Sequence, residues 1–70
     1  MRPRVLPHLL RRLKRLRQKA GLTQEQFAER AGMSYKYYQQ IESGRKADLR
    51  LSTLERLAAA HRVKLSKLLD

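Results

Sequence analysis

Residues 24–43, QEQFAERAGMSYKYYQQIES, decide the fold, because they read as two short helices joined by a tight turn at Gly32. Thr23 immediately precedes the stretch and is a good N-cap. Gln26 lies three residues further on and completes a capping box with it, so a helix is expected to start at Gln24. Phe27, Ala28 and Ala31 then share one narrow apolar face. Ala28, at the centre of that face, is small enough to let a second helix cross closely. Gly32 stands where the chain must pass through positive φ, which glycine does without a steric clash. Ser34 caps the second helix. Its inward stripe is Tyr38, Ile41 and Met33, and Tyr35, Lys36, Gln39 and Gln40 point outward.

Upstream, Leu9, Leu10, Leu13, Leu16 and Ala20 recur at helical spacing and Gly21 stops the pattern, so a first helix is expected over residues 8–20. Arg11, Arg12, Lys14, Arg15 and Lys19 take its outer face. Residues 1–7, MRPRVLP, hold both prolines and two arginines and read as a flexible basic arm. Downstream, residues 45–51 form a loop. Ser52 and Glu55 then make a second capping box for a helix over 53–61, with Leu54, Leu57 and Ala58 facing inward. Val63, Leu65, Leu68 and Leu69 read as a short closing helix that caps the core. The fold class expected is all-α: five short helices around one leucine-rich core, as a single domain over residues 8–70.

Composition narrows the function. Seventy residues suit one small core, and the absence of cysteine leaves no disulfide or thiolate metal site to brace it. Apolar runs are far shorter than the roughly 20 residues of a membrane helix, and no signal-peptide core is present, so a cytoplasmic protein with no membrane partner is expected. The charge is more telling: 17 Lys+Arg stand against 6 Asp+Glu, a formal +11. Residues 1–19 hold eight basic and no acidic side chains, residues 20–44 two and three, and residues 45–70 seven and three. Positive charge therefore flanks a nearly neutral helix pair. A polyanion is the implied partner, gripped by the flanks while the middle reads something neutral. No nucleophile, base and orienting group occur at a catalytic spacing, and no phosphate loop or metal-ligand cluster is present. Neither an enzyme, a cofactor nor a metal is expected.

The order Gln24, Ala28, Gly32, Ile41 and Glu42-Ser43-Gly44 resembles the helix-turn-helix of the lambda-repressor-like family, the Xre/Cro-type DNA-binding domains. Arg17-x-x-x-Gly21-Leu22-Thr23-Gln24 resembles the family's approach to the first motif helix. Leu54-x-x-Leu57-Ala58 and Val63-x-Leu65 resemble its closing helices. The resemblance implies double-stranded DNA as partner and residues 34–43 as the helix that enters the major groove. It implies that Tyr35, Lys36 and Gln40 face the groove floor and that Gln24 holds a phosphate. It also implies that Arg17 pairs with Glu42, although Arg17 alternatively joins the basic face of helix one. Lys36 suits guanine O6 and N7 and Gln40 suits adenine N6 and N7, with Gln39 on the same outward face. Tyr37, Arg45, Lys46 and Arg50 are the expected phosphate contacts.

Three positions depart from the family's pattern. Tyr38 stands where Ile or Val is usual, His61 where leucine is usual, and Arg62 where a glycine follows the helix, so Arg62 is expected at positive φ. His61 is expected to be half-buried and hydrogen-bonded rather than a metal ligand. The tyrosines at 35, 37 and 38 also suit stacking on unpaired RNA bases, but Tyr38 takes a core position. A protein-interaction module, such as the DNA-binding antitoxin of a toxin pair, is the alternative to a transcriptional regulator. Val63, Leu65, Leu68 and Leu69 are the expected surface for a partner protein or a homodimer.

Overall fold

The computed structural model describes residues 5–70, and these form five helices with no strand. The order is α1 (Val5–Lys19), α2 (Gln24–Ala31), α3 (Tyr35–Glu42), α4 (Leu51–Ala60) and α5 (Leu65–Leu69). α2 packs on both α3 and α4, while α1 packs on α3 and α5, so that every helix lines one core. That core is Leu9 and Leu13 from α1, Phe27, Ala28 and Ala31 from α2, Tyr38 and Ile41 from α3, Leu57 and Ala58 from α4, and Leu68 from α5.

The helix pair follows its local chemistry. Thr23 Oγ1 accepts from the Gln26 amide, and Gln26 Oε1 accepts from the Thr23 amide at 2.9 Å, the two halves of a capping box. Gly32 closes α2 at φ 72°, with the amides of Gly32 and Met33 bonded back to Glu29 and Ala28. Ser34 Oγ accepts from the Tyr37 amide and so starts α3 two residues after that turn.

Two boundaries and one surface differ from expectation. α1 begins at Val5, three residues early, because Pro7 falls in the first turn, where its missing amide hydrogen has no helical acceptor to lose. The rest of the expected arm, residues 1–4, lies outside the described residues. α4 begins at Leu51 and ends at Ala60, and the capping box of Ser52 and Glu55 does not form. The amides of Thr53 and Leu54 both bond the Arg50 carbonyl, so Arg50 is the N-cap and Ser52 already lies inside the first turn, where it cannot cap. The third concerns α5. Leu68 is 0% exposed, and Val63, Leu65 and Leu69 are half-buried against the core, so the leucine surface expected for a homodimer or partner is largely spent within the chain.

α4 ends as α2 does, by a Schellman turn: Arg62 N bonds Ala59 O at 3.0 Å and Val63 N bonds Ala58 O at 3.0 Å. The left-handed residue is Arg62, at φ 56°. No other non-glycine residue among those described has positive φ.

Candidate nucleic-acid interface

α3 is held from beneath by one carboxylate. Arg17 Nε and Nη2 donate to the two oxygens of Glu42 at 2.9 and 2.8 Å, a bidentate pair whose side chains are only 12% and 4% exposed. Arg17 Nη1 also donates to the Leu22 carbonyl at 2.9 Å, so the guanidinium ties α1 to the chain leading into α2. Gln24 Nε2 adds a bond to Glu42 Oε1 at 3.0 Å, and the Tyr38 hydroxyl adds one to Oε2 at 2.5 Å. Four donors therefore meet a carboxylate with about four lone-pair directions. Burial opposes the charge on Glu42, but the hydrogen bonds from Arg17, Tyr38 and Gln24 outweigh it and hold the carboxyl below its ordinary value. The hydrogen bond to Glu42 raises the Arg17 guanidinium above its own, against the cost of burial. Burial, then the bond to Glu42, push the Tyr38 hydroxyl well up, so it stays a donor.

Tyr38 explains its own departure from an aliphatic residue. Its ring is 0% exposed and meets Phe27 edge-on, centroids 4.9 Å apart, while its hydroxyl reaches the carboxylate at the core's edge. His61 sits on the other side of Phe27, stacked at 4.2 Å and 15°. The hydrogen bond expected for it is missing at Nε2, which is buried without a partner among the described residues. Ring stacking replaces the aliphatic contact a leucine would make. Burial, then the charge of Arg30, lower the His61 pKa and favour the neutral ring.

The outer side of α3 is different. Tyr35, Lys36 and Gln39 are exposed and Gln40 is half-exposed, and none of the four hydrogen-bonds through its side chain to another described residue. Gln39, Gln40, Ser43 and Arg45 line one shallow hollow. Tyr37, Lys46, Arg50 and Arg56 line a second, with Asp48, Ser52 and Thr53. Apart from Gln24, the residues expected at bases and phosphates are therefore grouped along α3 and the loop behind it, with Tyr35 and Lys36 outside both hollows. Lys46 N bonds Gln40 O at 3.0 Å and holds that loop against α3. The Lys46–Asp48 pair, at 3.6 Å and with Asp48 95% exposed, contributes little. Gln24 is half-buried and donates one hydrogen bond from its amide to Glu42, which leaves the second N–H of that amide uncommitted. Sequence reasoning missed Arg56, which lines the second hollow and donates to the Gly32 carbonyl at 3.2 Å. Its only signal was its place on the polar side of α4.

A capped helix, a left-handed glycine and a second capped helix, held by a buried ion pair and presenting an unpaired polar face, define a helix-turn-helix unit. The chain belongs to the helix-turn-helix family HTH_3, which matches residues 13–68. It is similar to the solved structure of SinR, the master regulator for biofilm formation, in complex with DNA. That match has a TM-score of 0.80 and 29% identity, and covers 89% of this chain and 98% of that one. No curated protein sequence matches the chain.

Proposed function

We propose that the protein regulates transcription by laying α3 in the major groove of double-stranded DNA, with Tyr35, Lys36, Gln39 and Gln40 toward the base edges. Sequence-specific DNA binding is the function of the family to which the chain belongs, and the SinR structure with DNA supports it here. The observation that carries the placement is the row of unpaired polar side chains on α3, on a helix tied to α1 and α2 through the hydrogen bonds to Glu42. Lys36 donates to guanine and Gln40 pairs with adenine, while Arg45, Lys46, Arg50 and Tyr37 lie against phosphates. Catalysis forms no part of this reading. No helix among the described residues is long and apolar enough to cross a membrane, and a cytoplasmic site of action fits a DNA-bound regulator.

One recognition helix spans few base pairs, so two copies are expected on a near-palindromic site, with half-sites about 34 Å apart. Selection of duplexes from a random library tests both claims. Enrichment of one motif is the expected result, and recovery of unrelated sequences would remove the base-reading role. A motif without two-fold symmetry would remove the two-copy arrangement alone.

A further inference from the structure

The C-terminal ends of α2 and α4 lie side by side and enclose a hollow lined by Arg30, Arg56 and Arg62, with Ala31, Ala59 and Ala60 as its floor. We propose that this hollow is a phosphate-binding site, separate from the base-reading face of α3. No carboxylate lines it. The ion pairs among the described residues are Arg17–Glu42 and Lys46–Asp48, so none of the three guanidiniums is neutralised by a neighbour.

Two helix ends would themselves attract positive charge. Each contributes about half a negative charge, which balances one guanidinium and leaves two in excess. Arg56 is held in place by its bond from Nη1 to the Gly32 carbonyl at 3.2 Å, leaving its other nitrogens to a ligand. The alanine floor keeps the hollow open at the centre.

The backbone supplies the second observation. The chain closes α2 with Gly32 at φ 72°, the inexpensive choice for a left-handed turn, but closes α4 with Arg62 at φ 56°. A long side chain in that conformation is strained, and strain kept where glycine would relieve it points to use of the side chain. The use available to Arg62 is to complete the ring of guanidiniums. Planar guanidiniums bind phosphate oxygens in pairs. The phosphate comes either from a DNA backbone, since Arg56 also lines the hollow beside the α3–α4 loop, or from a small phosphate-bearing molecule.

Isotopically labelled protein, in phosphate-free buffer at constant ionic strength, is titrated with inorganic phosphate while the arginine Nε–H resonances are followed. Arg30, Arg56 and Arg62 should shift together and saturate, whereas Arg11 and Arg15 on α1 should not. Arg62→Gly should weaken phosphate binding by roughly tenfold and yet unfold at the same or a higher temperature, a combination that a merely structural arginine would not produce. Arg30→Ala, at an exposed position, should weaken phosphate binding without unfolding the chain. Parallel, unsaturating shifts at every arginine, or full affinity in Arg62→Gly, would overturn the proposal. A titration with duplex DNA in the same buffer identifies the source. Shifts at the same three residues assign a backbone phosphate, and shifts with inorganic phosphate alone assign a small molecule. The Lys36 and Gln40 resonances in that duplex titration report on α3 independently, so the two readings can fail separately.

Discussion

The two sides of α3 differ in how completely their polar groups are satisfied. On the inner side Tyr38 and Ile41 are 0% exposed, and Glu42 takes donors from α1, α2 and α3 itself. On the outer side Tyr35, Lys36, Gln39 and Gln40 have no side-chain partner among the described residues. The contrast teaches a division of work: the dry side sets the angle of the helix, so the wet side meets its partner without first having to be ordered.

Removing either member of the ion pair should break that division most severely. Arg17→Ala or Glu42→Ala leaves a largely buried charge unpaired, and each should cost about 3–5 kcal/mol. A 70-residue domain holds only about 4–10 kcal/mol in all, so melting temperature should fall steeply or folding be lost. The double mutant should cost less than the sum of the two, and additive losses near 1 kcal/mol would place the pair on the surface. Tyr38→Phe keeps the ring and removes one donor to Glu42, with an expected loss of about 2 kcal/mol in chemical denaturation.

On the outer side, Lys36→Ala and Gln40→Ala should each reduce discrimination at one base position by about 1–3 kcal/mol, measured on matched and mismatched duplexes. Their stability should change by no more than about 0.5 kcal/mol. Arg45→Ala or Arg50→Ala should weaken all sequences alike and reduce the slope of log K against log salt by about 0.9 each.

The smallest effect expected is a pH dependence at the back of the core. The His61 pKa is lowered on folding by burial and by Arg30, so the unfolded chain takes up a proton first. Stability contributed by the neutral ring is present above the unfolded value of about 6.5 and is lost as pH falls from there to the folded value. In His61→Leu, denaturation midpoints should lose that slope. An unchanged slope would assign it elsewhere.

Much of this architecture was legible because it rests on local chemistry. Thr23, Gln26, Gly32 and Ser34 act within three residues of where they stand, and the structure shows each in the role its type suggests. The α4 boundary was misread for the opposite reason. Ser52 and Glu55 have capping spacing, yet the chain enters the helix at Arg50, with Leu49 packed against the core just before it and Leu54 just inside. Spacing cannot reveal that long-range preference. Gln24 shows the same limit, since nothing near it in the chain indicates that its amide meets Glu42, 18 positions away. The apolar spacing of α5 did mark it as a helix that caps the core, and Leu68 is buried there, but that it does so by folding back on α1 is a contact between the two ends of the described chain.

The bond from Tyr38 to Glu42 also decides which rings emit light. The chain has three tyrosines and no tryptophan, and a phenol hydrogen-bonded to a carboxylate is quenched, because the excited ring readily gives up its proton. Tyr38 is therefore expected to emit little, and the fluorescence of the folded protein to come from Tyr35 and Tyr37. Those two rings lie at the start of α3, Tyr35 exposed and Tyr37 half-buried against the edge of the core. The protein thus carries its own optical probe at the surface where a partner would arrive, and unfolding, which frees Tyr38, should brighten it.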